Sequence, residues 1–272
     1  MWVNMKNILL KIEYDGTAFS GWQRQPEVRT VQGEIESVLT QLCRIPIAID
    51  GTGRTDAGVH ALGQCATFSG EFGIPVDRLM TAANDILAES RLKAGDVRIV
   101  SATEVEEGFH ARFSAVGKTY VYRIFNAEHM PVFLRNYRYN VKKPLDVEAM
   151  KRAGEAFVGA HDFEAFMSQG STPQETTVRT IYGLNVESDG KEIAISVTGD
   201  GFLYNMVRII TGTLVDVGLG RIKAEEVADI IAGCDRRRAG HTAPPQGLFM
   251  AEVYFHEDDM MAGARVSRIM EK

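Results

Sequence analysis

The chain contains the stretch Gly51-Thr52-Gly53-Arg54-Thr55-Asp56-Ala57-Gly58-Val59-His60-Ala61-Leu62-Gly63. An apolar segment before it, 45–50, and an alternating segment after it, 59–67, each predict a short strand, so the stretch forms a loop between two strands. Its glycines let the backbone turn sharply and let another molecule approach closely. They surround a single carboxylate, Asp56, which indicates a loop built to present an acid.

Two other interpretations of a glycine-rich loop are an ordinary turn and a phosphate-binding loop. A dinucleotide fingerprint requires glycine at position 56, and a Walker loop requires Lys followed by Ser or Thr where Val59-His60 stand. A carboxylate at the centre of the loop would also repel phosphate. Phosphate binding is therefore disfavoured, whereas a turn that Asp56 merely caps stays open at this point.

The composition is that of an ordinary globular protein. With 272 residues, 45% of them hydrophobic, the chain can bury the core of one large domain or two small ones. The N-terminus lacks a signal-peptide core, and no apolar run is long enough to span a bilayer. The cysteines, Cys43, Cys65 and Cys234, lack metal-type spacing, and their odd number argues against a disulfide framework. We therefore expect a cytoplasmic protein with reduced thiols, no metal site and no membrane partner.

The charge is unevenly distributed along the chain. The net charge of −6 argues mildly against nucleic acid, but binding requires only a local basic face. The stretch 112–143 carries net +6, from one acid, Glu128, and seven cations: Arg112, Lys118, Arg123, Arg135, Arg138, Lys142 and Lys143. Seven aromatic residues are interleaved with them. Cations for phosphates and rings for bases favour an RNA surface, and a solvated strand edge over core aromatics is the alternative.

The first half of the chain predicts a β-α-β-β-α-β order. Strands are expected over 7–14, 45–50, 59–67 and 96–105. One helix follows the N-cap residue Thr30 and another is opened by Pro75. This is the order of a split, ferredoxin-like unit.

The second half repeats that order without sequence identity. The predicted strands are 118–126, 177–187, 191–198 and 248–255, and the predicted helices are 145–157, 202–217 and the shorter 224–232. Segment 159–174 is expected to be a loop and a possible flap.

The expected fold class is therefore α/β (α+β), with two ferredoxin-like or RRM-like halves whose mainly antiparallel sheets flank a central active-site cleft. The expected domains are 1–112, with the Asp56 loop, 113–256, and a tail, 257–272. The tail could be a frayed helix or an oligomer contact, and the sequence leaves both open.

Gly53 to His60 resembles, without a gap, the active-site motif of the tRNA pseudouridine synthase A family. Further segments match that family in the same order, namely Gly21-Trp22-Gln23, 109–115, 118–122, 202–208 and 242–248. The resemblance covers nearly the whole chain. One departure is Lys118, where relatives often carry Arg, which keeps the charge but not a bidentate geometry.

The resemblance implies an enzyme that isomerises uridine to pseudouridine at positions 38, 39 and 40, in the anticodon stem-loop of tRNA. It implies Asp56 as the catalytic residue and Tyr120, Arg208, Arg54 and Arg112 as substrate-binding residues. It also implies a homodimer. No cofactor and no metal are implied, because the reaction adds nothing and involves no redox step.

Three side chains need a closer interpretation. Tyr120 and Tyr122 share one face of a strand, and we expect Tyr122 in the core and Tyr120 in the active site. Arg208 lies among apolar neighbours of the helix predicted from 202 to 217. It either points to solvent or, if buried, needs a carboxylate partner, for which Asp56 is the candidate.

The main alternative function is a non-catalytic RNA-binding protein built from two RRM-like units. Such a protein has no need for a carboxylate in its RNA groove, so Asp56 distinguishes the two. An aspartate-dependent hydrolase of small phosphates would predict metal ligands, and the sequence shows no set with suitable spacing.

Overall fold

The computed structural model describes residues 5–89, 95–168 and 175–265. Ten strands and six α-helices lie in that part of the chain. They form two compact units. The first comprises the described residues up to Val116 together with Met250–Phe255, and the second comprises Gly117–Phe249 and the described residues from His256 onward. The expected mixed α/β class with mainly antiparallel strands is confirmed.

The first unit follows the predicted β-α-β-β-α-β order. Its elements are β1 (Lys6–Tyr14), α1 (Val31–Cys43), β2 (Asp50–Gly51), β3 (His60–Gly70), α2 (Val76–Glu89) and β4 (Val97–Val105). Strand β1 lies between β4 and β3 and is antiparallel to both. The last strand, β10 (Leu248–Tyr254), lies next to β3 on its other side, and the short β2 also pairs with β3.

The alternation of buried residues explains β1, and an N-cap explains the start of α1. Ile8, Leu10 and Ile12 are fully buried, so the core face of β1 has the period of two expected of a strand. Helix α1 begins after Thr30, whose hydroxyl accepts a hydrogen bond from the backbone N–H of Gly33 at 3.3 Å.

The strand predicted over 45–50 is wrong except for its last residue. Side chains of α1 take the backbone groups of this segment. The N–H of Ile49 donates to Glu36 at 3.0 Å, and its carbonyl accepts from Gln32 at 3.0 Å. The N–H of Ile47 donates to Thr40 at 3.0 Å. These groups are satisfied without a neighbouring strand, so β2 is only two residues long.

The second unit has one more strand at each edge than predicted, whereas most of the strand predicted over 248–255, Met250–Phe255, belongs to the first unit. Its elements are β5 (Gly117–Asn126), β6 (Tyr139–Val141), α3 (Val147–Glu155), β7 (Gly159–Asp162), β8 (Val178–Asp189), β9 (Glu192–Gly199), α4 (Met206–Gly218), α5 (Glu226–Ala232) and α6 (Glu257–Gly263). The strand order is β6-β5-β9-β8-β7. The neighbours are antiparallel except for the parallel pair of β5 and β6.

The loop or flap expected over 159–174 is wrong for its first four residues. Residues 159–162 form β7, which pairs with β8, and Phe163 and Phe166 are fully buried behind it. Two buried aromatic rings anchor this segment and are incompatible with a mobile flap. The remainder of the predicted flap, 169–174, lies outside the described residues.

Two further features concern α4 and the tail. The helix predicted from 202 begins only at Met206, because Asn205 takes a left-handed conformation with φ +63°. The tail contains α6, and the positions after 265 lie outside the described residues. None of the helices in the described part of the chain has the length and apolarity to cross a membrane.

Candidate active site

The Asp56 loop is anchored to β3 on one side. Thr52 donates to the carbonyl of Cys65 through its backbone N–H at 2.8 Å and through its hydroxyl at 3.0 Å. The side-chain amide of Gln64 donates to the carbonyl of Gly53 at 2.8 Å. These bonds attach the entrance of the loop to the strand that follows it, so the loop is closed at its base.

The segment Gly21-Trp22 supports the loop from its other side. The N–H of Trp22 donates to the carbonyl of Thr55 at 3.0 Å, directly before Asp56. Gly21 has φ +89°, and a Cβ there would lie 2.7 Å from the same carbonyl oxygen. The Thr55 hydroxyl shares a 2.7 Å hydrogen bond with the buried hydroxyl of Tyr14. The early Gly-Trp motif therefore packs against the backbone that carries the carboxylate.

The exit of the loop is fixed as well. Gly58 has φ +78°, and the N–H of Val59 donates back to the carbonyl of Asp56 at 3.1 Å. The next residue, His60, is buried, and its Nδ1 accepts from the N–H of Gly16 at 3.0 Å. The backbone is thus held before and after Asp56, which gives the carboxylate a defined origin.

The Asp56 side chain is half-buried, between the buried Thr55 and the exposed Ala57. Arg54 is exposed, and its Nε donates to the Gln23 side chain at 2.9 Å. A carboxylate on a rigid loop that is still partly open to solvent can act as a nucleophile or as a base toward a bound molecule.

Arg112 lies in the first unit, in the segment after β4, and is exposed. Its guanidinium lies 5.7 Å from the ring centroid of Phe113, and the ring of His110 lies 4.5 Å from the same ring. Phe113 is 77% exposed. The three side chains place a cation beside an exposed ring, which suits contact with a nucleic-acid backbone and base.

Tyr120 lies in the second unit, on β5, and is 8% exposed. Its ring makes an edge-to-face contact with Phe202 at 5.1 Å between centroids. Tyr122 is fully buried, as expected of a core residue, and its hydroxyl donates to the carbonyl of Pro244 at 2.7 Å. Burial raises the pKa of Tyr122 well above its usual value, so this phenol stays neutral and remains a donor.

Arg208 is half-buried in the first turn of α4. Its Nε donates to the carbonyl of Ala243 at 2.7 Å, and its Nη1 donates to the side chain of Asn205 at 2.7 Å. The left-handed Asn205 thus places its amide beside the guanidinium. The pairing of Arg208 with Asp56 remains a prediction, as do the substrate-binding roles of Tyr120, Arg54 and Arg112.

Sequence reasoning matched 242–248 to the family without assigning it a role. We call Gly240–Gly247 the closing segment. The N–H of Gly240 donates to Thr213 at 2.9 Å, and the N–H of Ala243 donates to the carbonyl of Arg208 at 3.0 Å. The carbonyls of Ala243 and Pro244 accept from Arg208 and Tyr122. The closing segment therefore fixes the direction of the guanidinium, and only the matched motif could have indicated it.

Of the aromatic and basic residues expected to form an RNA surface over 112–143, the structure exposes only some. Tyr120, Tyr122 and Phe125 are buried, whereas Phe113 and Phe133 are exposed, Phe133 to 87%. Arg138 forms an ion pair with Glu192 at 2.7 Å. The exposed cations of the stretch are Arg112, Arg135, Lys142 and Lys143.

One group of side chains in the described ranges has metal-ligand potential. Ligand atoms of Asp162, Glu164 and Cys234 lie within 4.8 Å of one another. Burial raises the pKa of the Cys234 thiol, and the two carboxylates raise it further. The two carboxylates are exposed, and exposed acidic groups often lie close together without a metal ion, so this group of side chains carries no assignment.

Comparison with known proteins adds the following. A family model described as tRNA pseudouridine synthase matches residues 11–114 and 153–256. A tRNA pseudouridine synthase A of Acetivibrio thermocellus is 47% identical over 251 residues, which are 92% of this chain and 100% of that protein. One of Halalkalibacterium halodurans is 48% identical over 245 residues, 90% of each chain.

Among solved structures, a crystal structure of a Cbf5-Nop10-Gar1 complex matches 91% of this chain and 59% of that chain, with 12% identity and a TM-score of 0.33. A likeness of that size carries no argument about the site.

Proposed function

This chain belongs to the tRNA pseudouridine synthase family, and from that premise we propose that it uses Asp56 to isomerise uridines 38, 39 and 40 in the anticodon stem-loop of tRNA. The chain is an isomerase that converts uridine to pseudouridine in tRNA. The proposal adds the catalytic residue and the positions of the target uridines.

The reaction breaks the N1–C1′ bond of uridine, turns the uracil and forms a C5–C1′ bond. C5 loses a proton and N1 gains one, so product and substrate are isomers. A single carboxylate suffices, acting either as nucleophile at the sugar or as base on it.

The observation that carries the assignment is the anchoring of the Asp56 loop. Backbone bonds hold Thr55 and Val59, and close contact with Gly21 leaves the loop little freedom. A half-buried carboxylate on so rigid a loop is preorganised for attack on a bound nucleotide.

The target uridine must leave its stack to reach the carboxylate, so a wall for the base and cations for the backbone are needed. We assign the wall to Tyr120, a largely buried ring on a strand. Arg208, held by Ala243 and Asn205, is assigned to the orientation of Asp56. Arg54, Arg112, Lys142 and Lys143 are exposed and are assigned to phosphate contacts.

Homodimerisation and a cytoplasmic location belong to the proposal as well. The resemblance to the family supports the dimer, and a tRNA substrate supports a location where tRNA is present. The alternative of a non-catalytic RNA-binding protein is not favoured, because family membership indicates an isomerase.

The test is to incubate the protein with an unmodified tRNA transcript and to map pseudouridine by carbodiimide-dependent primer-extension stops. We expect stops one nucleotide 3′ of positions 38, 39 and 40 wherever uridine occurs there, and none in a matched transcript with cytidine at these positions. Pseudouridine elsewhere in the tRNA would overturn the assigned positions, and its complete absence would overturn the activity.

A further inference from the structure

His241 connects two elements of the second unit. Its Nε2 lies 3.2 Å from the hydroxyl of Tyr139 on β6, and its Nδ1 lies 3.2 Å from Oδ2 of Asp216 on α4. The Tyr139 and His241 rings also meet edge to face, with centroids 6.0 Å apart. A single imidazole, at the start of the closing segment, thus bridges a strand and a helix.

Asp216 and Tyr139, the two partners of His241, are themselves positioned by other contacts. Asp216 is buried, and its other oxygen, Oδ1, accepts from Arg221 at 2.7 Å, which leaves Oδ2 for the imidazole. The ring of Tyr139 packs edge to face on Tyr122 at 6.4 Å. Burial, and then the charge of Asp216, raise the pKa of Tyr139, so its hydroxyl keeps its proton.

The backbone of the closing segment links His241 to Arg208. The carbonyl of His241 packs against Gly212, where a Cβ would lie 1.7 Å from its oxygen. Ala243, two residues further on, exchanges two hydrogen bonds with Arg208, backbone to backbone at 3.0 Å and through Nε at 2.7 Å. Since a guanidinium donates along fixed directions, a shift of the Ala243 carbonyl turns the whole group.

We propose that His241 is a positioning residue for the isomerisation, because its bridge between Tyr139 and Asp216 holds the closing segment where the Ala243 carbonyl aims the Arg208 guanidinium. This inference rests on the proposed role of Arg208 in orienting Asp56. In this proposal the imidazole acts through the backbone of the closing segment and not through a contact with substrate.

The position of His241 allows a clean substitution. Its side chain is 37% exposed, so water can replace the imidazole in His241→Ala without leaving a sealed cavity. We expect kcat to fall roughly tenfold or more, since small misplacements of catalytic groups cost that much, while KM for tRNA changes less than about twofold. His241→Asn, which can still bond to Asp216 from the Nδ1 position, is expected to recover part of the loss.

A double-mutant cycle separates positioning from general support of the fold. Arg208→Lys alone should lower kcat, and in the His241→Ala background it should cost clearly less, because the geometry is already lost. Tyr139→Phe, which removes only a hydroxyl, should lower kcat in the same direction by a smaller factor and serves if His241→Ala folds poorly. The control is His161→Ala, a histidine on β7 outside this network, for which we expect wild-type kcat.

Wild-type kcat in both His241→Ala and Tyr139→Phe would overturn the inference. So would strictly additive effects of His241→Ala and Arg208→Lys, or a loss confined to tRNA affinity. Failure of the proposed function is distinct from these outcomes, because it would appear as absence of pseudouridine with the wild-type protein.

Discussion

Gly21 packs against the carbonyl oxygen of Thr55 so closely that a Cβ at Gly21 would lie 2.7 Å from it, and Gly21 has φ +89°. Two segments 34 positions apart in the sequence are thereby fitted to each other with no room for a side chain. Since Thr55 directly precedes Asp56, the contact restricts the backbone that carries the carboxylate.

Gly21→Ala should therefore reduce both stability and turnover. The left-handed backbone and the clash are each unfavourable to an L side chain, and we expect a loss of roughly 1–3 kcal/mol in the free energy of unfolding by urea. We also expect kcat to fall in the folded fraction, because the Asp56 loop must shift. Gly73→Ala is the matched control, since a Cβ there meets nothing within 4 Å. Equal behaviour of the two variants would contradict the fitted contact.

Asp56→Asn is expected to abolish pseudouridine formation while tRNA binding stays nearly unchanged. The amide is almost isosteric with the carboxylate but can act neither as nucleophile nor as base. It also removes negative charge near RNA, so affinity should not fall. Single-turnover formation of pseudouridine and filter binding measure the two effects, and appreciable turnover by the Asn variant would refute the catalytic assignment.

Lys142→Gln and Lys143→Gln are expected to weaken tRNA binding and to flatten its salt dependence. Both lysines are exposed at the end of β6, in the basic stretch 112–143. Each lost phosphate contact should reduce the slope of log K against log salt by about one unit or slightly less. Lys151→Gln, which removes a lysine paired with Glu148 on α3, is the control of equal charge and should leave the slope unchanged. An unaltered slope in all three variants would locate the RNA elsewhere.

Buried tyrosines predict a loss of stability at high pH. Burial raises the pKa of Tyr14 and of Tyr122 above the value of an unfolded chain. Their contribution is complete below the unfolded pKa of about 10 and falls, as pH rises toward the folded pKa, by up to about 1.4 kcal/mol per pH unit for each group. Urea unfolding between pH 8 and 11 measures this, and Tyr14→Phe should show a shallower decline than the wild type. If the stability of Tyr14→Phe declined as steeply as that of the wild type, groups other than Tyr14 would be responsible for the decline.

The parts of the fold that the sequence predicted are those with local causes. The Asp56 loop follows from glycines and an acid within one short stretch, and the order of the first unit follows from the periodicity of its helices and strands. The Thr30 cap is also a local signal, and it marks the start of α1 correctly.

The features that sequence reasoning missed depend on distant partners. Segment 45–50 has the composition of a strand, but Glu36, Gln32 and Thr40 take its backbone bonds, and their reach depends on how α1 lies. The bridge made by His241 joins residues 25 and 102 positions away. Such contacts follow from tertiary packing, which cannot be predicted from the periodicity of the sequence.

The start of α4 could be predicted from the sequence only in part. Asparagine is among the few residue types that tolerate a left-handed backbone, so Asn205 did offer a weak signal that the helix begins after it. The apolar neighbours on both sides favoured an earlier start and obscured that signal.

Arg208→Lys is expected to lower turnover much more than tRNA affinity. In the wild type, Nε and Nη1 of the guanidinium donate to two different acceptors, Ala243 and Asn205, which fixes the plane of the group. A lysine keeps the charge but cannot make two bonds from fixed directions, so the proposed pairing with Asp56 would lose its geometry. We expect kcat to fall roughly tenfold to a hundredfold with little change in Kd for tRNA. Arg179→Lys serves as the control, because in the contacts that the structure gives this arginine bonds only through Nη1, to the carbonyls of Thr176 and Val178. Equal kcat for wild type and Arg208→Lys, or a loss of affinity without a loss of turnover, would show that Arg208 serves the RNA and not the carboxylate.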